Sequence, residues 1–231
     1  MCQAAKPQAA KCSTSEQDTA TRSAAWAERC ELEWISRDRQ CRQLVAWHGE
    51  LAISPGERRA TVLSNDGQNV RCVVGQSRRD LPTAQQLDRF LFDPDPAVLA
   101  ARLTGVVADE HGLSAVAPRI AYLTGPRPID DPAVACFEVD EVLPLQLPAI
   151  AEYLRARGIG RLEIKKRGVE HDPEQLRRQL KLRGDGAVTL ILTKLNRKRV
   201  AILARRRQSG GASASLNPES RLLAPLHAAC L

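Results

Sequence analysis

The chain has 231 residues, 43% of them hydrophobic but only 3% aromatic, with 34 Lys and Arg against 27 Asp and Glu. That leaves room for one or two domains whose core is built from Leu, Val, Ile and Ala, and no apolar run approaches the roughly 20 residues of a membrane span. The opening "MCQAAKPQAAKCSTSEQDTATRS" has no apolar h-region, so residues 1–25 read as a disordered tail of a cytoplasmic chain with no membrane partner. The seven cysteines (Cys2, Cys12, Cys30, Cys41, Cys72, Cys136, Cys230) are scattered, with no C-x-x-C pair and no paired His at ligand spacing. No metal site is expected from them; they belong in a reducing compartment as free thiols.

A first block covers residues 26–74. "CELEWIS" reads as a strand and "RDRQCRQLVAWHGEL" as a helix with Leu44, Val45 and Trp47 on its apolar side. "RRATVLS" and "QNVRCVV" read as two strands around an Asn65-Asp66-Gly67 hairpin turn. Residues 75–89 form a polar linker.

The second block, 90–206, begins with "FLFDPDPAVLAARLTGVVADEHGL". Here Asp95 is placed to cap and Pro96 to open one helix. Val98, Leu99, Leu103, Val106 and Val107 keep helical spacing until Gly112. "RIAYLTG" and "VACFEVDEVL" are strands, and "LPAIAEYLRARG" is a helix with Ile150, Tyr153 and Leu154 inward. In "RLEIK", Leu162 and Ile164 alternate with charged residues, a half-buried strand that Gly168 ends. Asp172 then caps a helix opened by Pro173, with Leu176, Leu180 and Leu182 as its apolar stripe and Gly184 as its closing residue. "AVTLILTKL" and "RVAILARR" are continuous apolar runs, as in central strands covered on both faces. Residues 207–231 are Ser/Gly-rich and flexible, with a small apolar patch at Leu222, Leu223 and Leu226.

Charge is unevenly spread. From Leu154 to Arg207 there are 17 Lys and Arg against five Asp and Glu, a local balance of +12 in a chain of net charge +7. Localised basicity of this kind is an electrostatic footprint for a polyanion. Three groups carry it: Lys165, Lys166 and Arg167 at a strand end; Arg178, Lys181 and Arg183 on or beside the following helix; and Lys194, Arg197, Lys198 and Arg199 at the next hairpin. With few aromatic residues nearby, they suit phosphate contacts to structured RNA, tolerant of sequence, better than base stacking.

No catalytic constellation emerges. "GIG" at Gly158–Gly160 lies between a helix and a strand, the reverse of a dinucleotide loop, and reads as a helix-ending turn. "DPDP" at Asp93–Pro96 has the physics of a helix start rather than of a catalytic Asp-Pro motif. His48, His111, His171 and His227 are isolated from one another and from any nucleophile, so the sequence points to no catalytic and no cofactor-binding residue.

The order of elements resembles the C-terminal portion of bacterial class I S-adenosylmethionine-dependent methyltransferases that end in a THUMP-like domain. The segments that carry the resemblance are "LEWISRDRQCRQLVAWHGELA" with "RRATVLS", then "FLFDPDPAVLAARL", "AYLTG", "FEVDEVLPL" and, above all, "IGRLEIKKRGVEHDPEQLRRQLKLRGDGAVTLILTKLNRKRVAILARR". It implies an α/β (α+β) chain: the end of a class I methyltransferase sheet over 26–74, then a THUMP-like α/β domain over 90–206. In that family a glycine-rich loop after the first strand and an acid after the second hold the cofactor, and the chemistry follows the fourth strand. None of these segments is present. The resemblance therefore implies no cofactor for the isolated chain, and S-adenosylmethionine only if a partner supplies the front half of the enzyme. Two functions follow: an RNA-binding module, or one half of a split methyltransferase.

Overall fold

The computed structural model describes residues 29–64, 70–77, 81–195 and 198–207. They form two sheets. The first has the order β2-β1-β3-β4, built from β1 (Cys30–Arg37), β2 (Gln40–His48), β3 (Arg58–Leu63) and β4 (Val70–Gly75). β1 pairs antiparallel with β2 and parallel with β3, and β3 pairs antiparallel with β4. The expected turn at Asn65-Asp66-Gly67 lies outside the described residues.

The helix expected over "RDRQCRQLVAWHGEL" is wrong: most of that stretch is β2. Asp38 and Arg39 both take left-handed φ values of 55° and 54°. That is the two-residue turn whose twist matches an antiparallel hairpin. Val45 and Trp47 are half-buried at two-residue spacing, and the bulge near Ile35/Ser36 shifts the register of the residues before them. Over so short a run, helical and strand periods share positions, and the turn decides between them. Only Gly49–Leu51 makes a short helical turn.

In β1, Leu32 and Trp34 point to one face. With Ala60, Val62 and Val73 they pack on helix α1 (Pro96–Ala101), in an apolar cluster that also holds Phe90, Phe92, Leu103 and Val107. The cluster therefore crosses residues 75–89. Asp95 caps α1 as expected, accepting a hydrogen bond from the Ala97 N–H. The single helix expected from Pro96 to Gly112 is interrupted: Arg102 takes a left-handed φ of 59°, and α2 (Thr104–His111) starts anew until Gly112 closes it.

The second sheet has the order β6-β7-β5-β8-β11-β10-β9. Its strands are β5 (Phe90–Pro94), β6 (Ser114–Ala117), β7 (Ile120–Gly125), β8 (Val134–Pro144), β9 (Ile159–Lys166), β10 (Gly186–Leu195) and β11 (Lys198–Arg206). Two helices, α3 (Leu147–Ala156) and α4 (Pro173–Leu180), cover one face. Ile150, Leu154, Leu176 and Leu180 pack there on Leu162, Leu190, Leu192 and Leu203. The opposite face carries Leu91, Tyr122, Phe137, Ile191 and Ile202 as a third cluster. That face is concave. The sheet curls until β6 meets β10, and a Cβ placed on Gly168, just past β9, would lie 2.7 Å from Ile120 in β7.

Gly184 does not close α4. Lys181 does, with a left-handed φ of 46°. Gly184 instead lies against the backbone at Gly158–Gly160: a Cβ on Gly160 would fall 1.9 Å from its carbonyl oxygen. Within "GIG", Gly158 (φ 62°) makes the expected turn after α3, and Gly160 permits this close approach.

Candidate nucleic-acid interface

Strand alternation sorts the basic residues onto two sides of the curled sheet. Lys166 follows Leu162 and Ile164 on the helix side of β9. It pairs in register with Leu192, which makes Lys194 its diagonal neighbour on the same face, and Lys194 lies directly across from Arg199. α4 lies over this side, and two adjoining clefts of about 520 and 440 Å³ flank it. Lys166, Glu170 and His171 line the first, Arg178 and Lys181 the second, and Asp172, Gln175 and Gln179 line both. Lys166, Arg178, Lys181, Lys194 and Arg199 are exposed. None of them has an ion-pair partner among the described residues. The helix side thus gathers five of the ten expected positions.

The other five are placed differently. Lys165 and Arg167 face the concave side, and so does Lys198, which shares the parity of Val200 and Ile202. Arg183 is exposed next to Gly184, by the starting ends of β9 and β10, away from Lys166. Arg197 lies outside the described residues.

The concave-side cations converge on a group that sequence reasoning passed over. Asp93, at the end of β5, is only 4% exposed. Lys165 Nζ donates to its Oδ2 at 3.1 Å and Arg167 to its Oδ1 at 2.7 Å. From the tip of the β1–β2 hairpin, Arg39 reaches Oδ2 at 3.3 Å and also donates to the backbone carbonyls of Asp93 and Pro94. The Arg167 guanidinium lies over the Tyr122 ring at 5.0 Å. Burial, with the Asp93 charge adding to it, pushes the Tyr122 phenol up to about 12. The available signal was an acid inside "FLFDP", a strand apolar on both faces: a carboxylate there is buried and has to find cations.

Two residues on, Asp95 is completely buried. Its Oδ1 accepts from Ser36 Oγ at 2.5 Å and from the Ala97 N–H at 2.9 Å, while Oδ2 has no partner among the described residues. Burial raises its pKa above the usual carboxylate value, against the hydrogen bonds from Ser36 and Ala97 that favour the charged form.

A third polar cluster joins β4 to α2. Glu110, His111 and Asp131 bring one ligand atom each within 4.8 Å of one another, a spacing a metal could use. The Arg71 guanidinium already fills the place of a cation, donating to both Asp131 and Glu110, while His111 Nε2 lies 2.8 Å from Asp131. Burial works against the Asp131 carboxylate, but the Ala133 N–H, His111 and Arg71 together hold it below its usual pKa.

Residues 134–206, spanning β8 to β11 with α3 and α4, match the THUMP domain-like family model, so the chain carries a THUMP-like domain. Over 165 residues the chain is 35% identical to an uncharacterised S-adenosylmethionine-dependent methyltransferase of Mycobacterium tuberculosis, in strains CDC 1551 / Oshkosh and ATCC 25618 / H37Rv alike. That match takes 71% of this chain and 44% of the relative. The fold also aligns with the crystal structure of a proposed methyltransferase from Porphyromonas gingivalis W83, at a TM-score of 0.68 and 18% identity, over 82% of this chain and 48% of that one. This is a methyltransferase-related α/β protein, and it spans about half the length of the relatives it matches.

The strand-to-helix turns β5–α1, β8–α3 and β9–α4 each place Pro in the first helical positions, and none contains Gly-x-Gly. At α1 the protein's own Asp95 occupies the helix N-terminus.

Proposed function

We propose that the chain binds structured RNA through the helix side of its C-terminal sheet, as an RNA-facing module of a methyltransferase-related protein. The observation that supports this is the gathering of Lys166, Arg178, Lys181, Lys194 and Arg199, exposed and without acidic partners among the described residues, along α4 and the adjoining sheet end. Cations in this state lose little on meeting phosphates, and each contact contributes roughly −0.7 to −0.9 to the log–log salt slope. The test is the Lys166→Ala/Arg178→Ala/Lys181→Ala variant, titrated with a structured RNA over a range of salt. Affinity should fall and the slope flatten by about two to three units. Unchanged affinity and slope overturn the reading. Replacing Lys165 and Arg167 instead would also remove two of the three cations on Asp93.

A second reading, half of a split S-adenosylmethionine-dependent methyltransferase, draws support from the first sheet. β1 and β3 are parallel neighbours, and parallel strands are normally covered on both faces. Here the face away from α1 carries half-buried Ile35, Val45, Trp47 and Leu63 with Val70 at 56% exposure, and β2 is an edge strand of nine residues. Co-expression with the part of the Mycobacterium tuberculosis relative that this chain does not match tests it. A complex that binds S-adenosylmethionine, where this chain alone shows no saturable titration below about 100 μM, supports the split enzyme. Failure to form a complex removes it.

A further inference from the structure

We propose that Arg39, Lys165 and Arg167 form a discrete binding site for a phosphate group on the concave side of β9, distinct from the helix-side surface. The argument starts from charge. Three cations from two elements more than 120 residues apart in sequence close on one carboxylate, Asp93, at 3.3, 3.1 and 2.7 Å. One carboxylate neutralises one of them, and the buried Asp95, close enough to Arg39 to feel its charge, offsets part of another. Glu163 lies 3.5 Å from Lys165 and offsets part of a second charge, but its side chain is 46% exposed and it also accepts from the Thr189 hydroxyl. A positive surplus remains at a point where a single cation would satisfy the buried acid, and gathering three like charges there is unfavourable without a further anion.

Exposure and geometry point the same way. Asp93 is 5% exposed as a side chain, whereas Arg39, Lys165 and Arg167 are 28%, 21% and 29% exposed, so each keeps a side open to solvent. The guanidinium groups are also fixed in orientation. The two backbone carbonyls hold Arg39, and the Tyr122 ring and Asp93 hold Arg167. Two oriented guanidinium forks and an ammonium, held by a buried carboxylate behind them, are the donor set that phosphate oxygens take in charge-assisted, bidentate hydrogen bonds. Because the donors are ordered beforehand, binding costs little side-chain entropy. The phosphate is either inorganic phosphate or a group on RNA.

The test follows the arginine Nε–H signals of the full chain by NMR during titration with inorganic phosphate at constant ionic strength, with chloride as the control anion. Saturable shifts at Arg39 and Arg167 are expected, and Arg39→Gln should weaken binding about tenfold. Arg39→Lys, which keeps the charge and loses the fork, should bind at an intermediate level and guards against a folding defect in the Gln variant. The Lys166→Ala/Arg178→Ala/Lys181→Ala variant should bind phosphate as the parent does, which separates this site from the helix-side reading. No saturable shift by about 50 mM phosphate, or equal loss in the helix-side variant, overturns the site. Competition by 5′-phosphorylated and 5′-hydroxyl oligoribonucleotides then identifies the source. Displacement by the first alone indicates a terminal phosphate, by both the RNA backbone, and by neither free phosphate.

Discussion

Asp95 offers the sharpest test of how the two sheets are joined. Its carboxylate is fully buried, with one oxygen shared between Ser36 and the N-terminus of α1 and the other without a partner among the described residues. Asn at this position keeps an acceptor for Ser36 and for the Ala97 N–H but removes the buried charge. Ala removes both acceptors. Losing the helix cap costs about 1 kcal/mol, and leaving the buried Ser36 hydroxyl unpaired about 1–3 kcal/mol more. The Ala variant should therefore be about 2–4 kcal/mol less stable than the Asn variant in urea unfolding. The pH profile separates parent from Asn variant. Burial raises the Asp95 pKa above its unfolded value of 3.8, so the folded state holds its proton more tightly than the unfolded state. Stability from this group is greatest below the unfolded value, falls as pH rises through the folded value, and is level above it. The advantage of Asp95→Asn over the parent should thus grow from acid towards neutral pH. Asp131 and Glu31, both held below their usual values, slope the opposite way in acid but do so in both proteins and cancel in the difference. An Asn variant as unstable as the Ala variant, or a parent–Asn difference independent of pH, refutes the reasoning.

Gly160→Ala should destabilise by more than about 3 kcal/mol, read as a lower urea midpoint, because its Cβ would fall 1.9 Å from the backbone oxygen of Gly184. Gly49→Ala, at φ 61° with nothing within 4 Å, should cost only the left-handed penalty of about 1–2 kcal/mol, and equal losses would count against the close approach. In hydrogen exchange, the edge strands β2 and β4 should be the least protected of the first sheet and β8 and β11 among the best protected strands, since β2 and β4 pair on one side and β8 and β11 on both. Uniform protection in a monomer would show that the β2 edge is covered.

Much of the fold was legible because its signals are local. Asp172-Pro173 and Asp95-Pro96 each begin a helix as the capping rule requires, and alternation in "RLEIK" and the apolar runs of β10 and β11 mark strands directly. β2 was misread because nine residues are too few for the two periods to separate, and its deciding feature is a turn with no Gly or Asn to announce it: Asp38-Arg39 takes left-handed angles without the usual residues. The break at Arg102 is equally silent, since Arg is a good helix former and tertiary packing overrides it. For the candidate site, residue type was legible and direction only partly so. The charge count found the basic region, and the parity of β9 separates Lys166 from Lys165 and Arg167. What the sequence could not show is the curl of the sheet, which brings residues more than 70 positions apart to Asp93.

That curl gives "DPDP" a role that neither a helix start nor a catalytic motif describes. Strand alternation sends Asp93 to the concave face, where it collects Lys165 and Arg167 from β9 and Arg39 from the first sheet. Pro94 ends the strand and offers its carbonyl to Arg39, and Asp95 turns to cap α1 while receiving Ser36 of β1. The two acids thus tie the first sheet, the helix that packs on it and the far edge of the curled sheet to one four-residue corner. A ligand that engaged Arg39, Lys165 and Arg167 would pull on both sheets through that corner. Phosphate binding should therefore also raise the protection of β1 and β9 amides, a response that loose counter-ion binding on the helix-side face would not produce.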